Sequence, residues 1–159
     1  MNSSGGAIVS KCNTYRYALW RETGGSMAPV MFIMLNPSTA DAERDDPTIR
    51  RCIGFARDWG HSHLIVVNLF AYRSTDPKKL TDVKDPVGPM NDEYIRHYRG
   101  KCSALIAAWG TLGGLHGRDK WVAGIVNTDW LPLWALGFTK HGHPKHPLYV
   151  RRDIKPVRF

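Results

Sequence analysis

Val30–Leu35 is an unbroken apolar run, the pattern of a strand covered on both faces in a parallel sheet. His63–Phe70 and Ser103–Trp109 read the same way. Between the first two, Ile49, Cys52, Ile53, Ala56 and Trp59 recur at helical spacing, with Arg50, Arg51 and Arg57 on other faces. Asp46 followed by Pro47 predicts the start of that helix, an N-cap and then a proline at the first helical position, and Gly60 its stop. Upstream, Tyr15, Tyr17 and Leu19 alternate with Arg16, Ala18 and Trp20; with Ala7–Lys11 they predict a hairpin at a sheet edge. Asn91 is expected to cap a short helix to about Arg99. A further helix is expected over roughly Gly117–Val126 and a fourth strand over Leu131–Phe138. Residues 71–89 form a loop of a length that is functional or mobile in compact domains. Residues 1–6 are polar and Ser/Gly-rich, so a disordered N-terminus is expected there and a single α/β domain over residues 7–159.

Strand and helix in alternation predict an α/β fold. The expected form is a three-layer α/β/α sandwich with a mostly parallel four-stranded central sheet and an N-terminal β-hairpin. Ligands of such sheets bind beyond the carboxyl ends of the strands. Those ends carry Asn36-Pro37-Ser38, Asn68 to Arg73, Trp109-Gly110, and Thr139 to His146.

Charge adds a partner class. Among 159 residues, Lys and Arg number 22 against 14 Asp and Glu, a net charge of +8 with neutral His. That balance fits a polyanion, and nucleic acid is the usual one. Lys140, Lys145, Arg151, Arg152, Lys155 and Arg158 stand against Asp153 alone near the C-terminus, either tracking phosphates or forming a solvated tail. No apolar stretch approaches the roughly 20 residues of a membrane span, and no secretory signal is read at the N-terminus. The three cysteines include no C-x-x-C pair, which disfavours a disulfide framework, a zinc knuckle or a four-cysteine cluster and points to the reducing cytoplasm. No P-loop, G-x-G-x-x-G, G-x-S-x-G or H-E-x-x-H occurs.

The strand-end residues offer specific chemistry. Asn36 carries an amide that can hold a water or a ligand carbonyl, Pro37 fixes the turn, and Ser38, Thr39 and Asp41 follow with hydroxyls and a carboxylate, or form a plain Asx turn. Asn68, inside an apolar strand, needs partners for its amide or costs about 1–3 kcal/mol. It bonds a neighbouring loop or reads a base edge. Tyr72 is a base-stacking ring or a core residue, and Arg73 a phosphate contact. His141, His143 and His146 lack helical metal-ligand spacing; a histidine donating to a carbonyl oxygen that gains charge is the better use. Asp41, Glu43, Asp45 and Asp46 offer a general base or metal ligands, or simply favourable charge at a helix start.

Leu35–Asp41 (LNPSTAD), Asp45–Arg51 (DDPTIRR), Val66–Arg73 (VVNLFAYR) and Gly142–Tyr149 (GHPKHPLY) resemble, in order, the motifs of a bacterial and phage domain family of unknown function. More distantly, the chain resembles the uracil-DNA glycosylase superfamily. Met34-Leu35-Asn36-Pro37 is similar to the G-x-N-P motif of its mismatch-specific branch, without the glycine. Asn68 is similar to the base-reading Asn at the end of the next strand, and Leu105–Gly110 to a strand ending in a small residue. His143-Pro144-Lys145 and His146-Pro147-Leu148 both fit its H-P-S loop, with Lys145 or Leu148 in place of the serine.

The resemblance implies a uracil-DNA glycosylase-like fold and a base-flipping, DNA N-glycosylase-like hydrolase that needs no metal or cofactor. Asn36 would position water, Asn68 would read the base, and His143 or His146 would meet the base carbonyl. Pro37, Ser38, Asp41 and Tyr72 would complete the substrate site, with Arg73, Lys140 and Lys145 on flanking phosphates. Two alternatives stand beside it. One is a nucleoside- or nucleotide-processing enzyme of a phage-type base-modification pathway. The other is a non-catalytic DNA-binding module of the same fold.

Overall fold

The computed structural model describes residues 4–159. Its centre is one seven-stranded sheet in the order β1-β2-β4-β3-β5-β6-β7. The strands are β1 (Gly5–Val9), β2 (Arg16–Glu22), β3 (Val30–Met34), β4 (His63–Asn68), β5 (Ala104–Ala107), β6 (Leu133–Ala135) and β7 (Val157–Arg158). Pairing is parallel from β4 through β3 and β5 to β6, and antiparallel for the β1–β2 hairpin, its junction with β4, and β7 on β6. Sequence reading anticipated the hairpin but not β7. The hairpin lies at the sheet edge as expected, with β1 outermost and β2 joining it to β4. The run from Arg16 to Leu19 is buried, arginine included.

Three helices cover the sheet: α1 (Pro47–Asp58), α2 (Asn91–Arg99) and α3 (Arg118–Val126). Because side chains alternate along a strand, each central strand feeds two cores. Met31 and Ile33 of β3, Ile65 and Val67 of β4 and Leu105 and Ala107 of β5 pack with Ile95 and Tyr98 of α2 and Val122 and Val126 of α3. Val30, Phe32 and Met34, with Leu64, Val66 and Ile106, pack with Ile49, Cys52, Phe55 and Ala56 of α1. Helices therefore lie on both faces, in three layers. Asn68 shares the parity of Leu64 and Val66, which assigns its side chain to the α1 face.

The first parallel crossover runs from β3 to β4 and the next returns past β3 to β5. Order reversal of this kind opens a crevice at the strand carboxyl ends near β3 and β5. Asp46 caps α1 as the sequence indicates, accepting from Ile49 N at 2.9 Å. Asn91 does not cap α2: the cap position is Met90, with no side-chain bond. Leu131–Phe138 contracts to the three residues of β6. Gly5 and Gly6, expected within a disordered N-terminus, instead pair with Arg21 and Trp20; residues 1–3 lie outside the described residues. No described helix is long and apolar enough to cross a membrane.

Candidate functional site

Beyond the ends of β3, β4 and β5 lies a cavity of about 200 Å³. Asn36, Asn68 and His146 all line it. The register Met34↔Asn68 sets the ends of β3 and β4 side by side, and Leu69 N–H to Met34 O (2.9 Å) and Phe70 N–H to Leu35 O (2.9 Å) extend that pairing past the strands.

Asn36 is held by its own amide. Nδ2 donates to Ser74 O at 2.9 Å and Pro37 O at 3.1 Å, so the amide cannot be flipped, and Oδ1 is the atom these bonds leave over. Ser74 N–H donates to Pro37 O at 2.9 Å. The turn after β3 and the 71–89 loop are thus stitched together, and the loop contributes Ser74, Thr75 and Pro77 to the wall.

Asn68 is 1% exposed, and neither Nδ2 nor Oδ1 has a hydrogen-bond partner among the described residues. Its backbone is pinned instead. Asn91 Nδ2 donates to Asn68 O at 2.9 Å and Leu69 O at 3.1 Å, and Arg118 Nε donates to Leu69 O at 3.0 Å while its guanidinium pairs with Asp92 at 2.8 Å. This use as a strand-end anchor explains why Asn91, wholly buried, is unavailable as a cap.

His146 arrives on a loop fastened to two strand ends. Gly110 N–H donates to Pro144 O at 3.0 Å, and Lys145 N–H to Gly137 O at 3.0 Å. The ring Nδ1 accepts from Leu148 N–H at 3.2 Å. A ring nitrogen that accepts carries no proton, so in the neutral ring Nε2 is the donor. Burial lowers the pKa of His146, opposed by the charge of Asp46, which keeps the ring neutral near pH 7.

Sequence reasoning gave no site role to Arg16 or Thr48. Arg16, 2% exposed, donates to Ala40 O at 2.6 Å and leaves Nε unpartnered. Burial lowers its pKa to about 10, partly offset by Asp46, so it remains a cation at neutral pH. Asp46, which the sequence offers as a general base, a metal ligand or a helix-start charge, caps α1 and also supplies the carboxylate of this wall. Thr48 and Trp109 join them. Trp109 is buried with Nε1 unpartnered. Its ring is gripped between Phe159, edge-on with centroids 5.5 Å apart, and Gly113, where an added Cβ would fall 2.1 Å from Trp109 Cδ1. The signals available were a lone Arg in an alternating strand and a Trp beside a Gly-rich turn. The Arg does not point to a pocket without the pairing order, whereas Trp109 stands at one of the strand ends where the sequence expects ligands.

A second cavity of about 340 Å³ shares Leu35, Pro77, Trp109 and His146 with the first and adds Thr139, Lys145 and Tyr149. Together they make a two-lobed cleft. Other expected residues lie elsewhere. His143 is outside both lobes, its backbone paired with Thr139, which leaves His146 as the imidazole of the cleft. Asp41 caps a local turn, accepting from Glu43 N at 2.9 Å and Arg44 N at 2.8 Å. Tyr72 bridges to Tyr15 and packs on its ring edge, while Arg73 donates to Asn13 Oδ1. Lys140 stands exposed on the 139–143 turn. Pro37 is buried and serves through its carbonyl, whereas Ser38 lines the first lobe. Asp45 pairs with Arg21 at 2.8 Å. Among the described residues no three His, Cys, Asp or Glu side chains group as metal ligands.

A family model described as Protein of unknown function (DUF1643) matches residues 16–148. No curated protein and no solved structure matches the chain.

Proposed function

The chain belongs to the DUF1643 family, and from the chemistry of its strand-end cleft we propose that it processes a nucleobase in DNA, hydrolysing the N-glycosidic bond of a base turned out of the stack. One observation carries this reading. A buried amide with both ends unpartnered, Asn68, shares a small cavity with Asn36 and His146. An amide offers one donor face and one acceptor face, the complement of a base edge. At about 200 Å³, the lobe is below the roughly 300–1,000 Å³ of sites for drug-sized ligands, a size suited to one flat heterocycle against Leu35 and Trp109. The order of Asn-Pro after the first core strand, Asn at the end of the next and His-Pro in the last loop also agrees with an arrangement like that of the uracil-DNA glycosylase superfamily.

The roles follow from the charges. The C1′–N bond breaks with its electron pair leaving on the base, a C1′–O bond forms to water, and the proton of that water ends on the base. Asn36 Oδ1 accepts from the water and orients it. Asn68 reads the base edge. Neutral His146 donates Nε2–H to the carbonyl oxygen that gains negative charge. Asp46 sets a negative charge near the sugar as it becomes cationic. Purified protein is incubated with DNA containing uracil, hypoxanthine or hypermodified pyrimidines, and abasic sites are counted. Release by the wild type and loss in Asn36→Ala is the expected result. No release from any substrate overturns the reading.

A second reading has its own support. Arg73 and Lys140, expected on flanking phosphates, do not line the cleft, and Lys145 is the lysine that does. That favours a free nucleoside or nucleotide as substrate. Activity on free nucleotides that is indifferent to ionic strength would select it, because DNA binding weakens steeply with salt.

A further inference from the structure

Arg50, Arg51 and Arg57 of α1, with Arg152 of the C-terminal segment, line a shallow cavity of about 240 Å³ outside the cleft. α1 turns Ile49, Cys52, Phe55 and Ala56 inward; at 3.6 residues per turn, Gly54 falls on the opposite ridge. A Cβ built on Gly54 meets nothing within 4 Å, so the floor between the arginines is open.

Most of these guanidinium groups are held from one side. Arg50 Nη1 donates to Asp45 O at 2.7 Å. Arg51 donates to Val150 O and lies over the Phe55 ring at 5.2 Å, with Nε buried and unpartnered. Arg152 makes two bonds to Asp58, at 2.9 and 3.0 Å. That pair occupies the Asp58 carboxylate, and Asp45 is taken by Arg21. Among the described residues no ion pair reaches Arg50, Arg51 or Arg57. Three arginines without a direct ion pair therefore border one open floor, and Asp58, bonded to Arg152, is the carboxylate whose charge also reaches Arg57.

We propose that this surface is a phosphate-binding cradle. The guanidinium fork matches phosphate oxygens, and pre-set forks lose little freedom on binding. The phosphate belongs either to a nucleic-acid backbone or to a small phosphorylated compound. Cradle and cleft share α1 but no residue, so the site does not depend on the chemistry of the pocket.

The test uses the full chain, a fluorescein-labelled 20-base-pair duplex of ordinary bases, and inorganic phosphate. Arg50 and Arg57 are exposed, so Arg50→Gln/Arg57→Gln removes two charges without touching the core. Lys78→Gln/Lys79→Gln, on an exposed turn, is the charge-matched control. Anisotropy across a KCl series should show the arginine variant binding the duplex about tenfold more weakly, its log K against log salt slope shallower by roughly 2. The lysine control should change by less than half as much. Calorimetric phosphate binding lost in the arginine variant, with duplex binding unchanged, would assign the site to a free phosphate. Equal loss in both variants, or no change in either assay, overturns the cradle. Base release is not the readout, so failure of the glycosidic assay leaves this result intact.

Discussion

Replacing Asn68 by leucine should stabilise the protein while abolishing the proposed base release. The amide is 1% exposed and neither polar atom has a partner among the described residues. A buried polar group left unsatisfied costs about 1–3 kcal/mol. Taking the lower bound for each end, the near-isosteric leucine relieves about 2 kcal/mol, and the backbone bonds that Asn91 makes at the strand end are untouched. For a chain of this size about 1 kcal/mol moves Tm by roughly 2–4 °C, so calorimetry should find Asn68→Leu melting about 4–8 °C above wild type. Base release should fall by ~10²-fold or more, because a site built to hydrogen-bond its substrate rejects what it cannot pair. A lower Tm in Asn68→Leu would refute the reasoning, showing that folding itself satisfies the amide. Asn68→Asp, which buries a charge instead, should melt below wild type in the same scan.

Asn91→Ala removes both donors from the strand-end carbonyls and should cost about 1–3 kcal/mol, seen as a lower urea midpoint, with base release reduced through the displaced Asn68. His146 titrates below 6.5 when folded because burial disfavours its charged form. Between that lowered value and 6.5 the unfolded chain binds more protons, so stability rises with pH there and falls on acidification. The difference in unfolding free energy between wild type and His146→Gln should slope upward across that window and flatten above it; a flat difference throughout would mean a solvated ring. Ser10 and Thr14 lower the pKa of exposed Cys12 to about 7, whereas burial raises Cys52 strongly and Cys102 to about 12. Iodoacetamide on the folded protein should therefore label Cys12 alone by mass spectrometry, and labelling of Cys52 would show that the α1 core opens.

Local pattern carried the strands and helices. Apolar runs placed β3, β4 and β5, and Asp46-Pro47 marked the start of α1, because burial on two faces and capping leave short-range signatures. Asn36, Asn68 and His146 were legible as polar residues at strand ends. What was not legible depends on pairing order. Arg16 is a wall residue only because the fold brings its guanidinium to Ala40 O, and Ser74 only because its carbonyl meets Asn36. His143 and His146 have equivalent sequence surroundings, and only the fastening of their loop to Gly110 and Gly137 separates them. Asn91 misled because a good capping residue is also a good interior donor, and the strand end had the greater need.

The double duty of Asn36 restricts what can replace it. The side chain rivets two loops with one end and offers an acceptor with the other. Aspartate would bring a second oxygen against two carbonyls, serine has too few hydrogens, and glutamine is a methylene too long. For the proposed reaction, new substrate preference is therefore more accessible through Thr75 or Pro77, which shape the same wall without bearing the joint. On the proposed function, the water-holding acceptor is tethered to the frame at a single asparagine, while selectivity is free to drift around it.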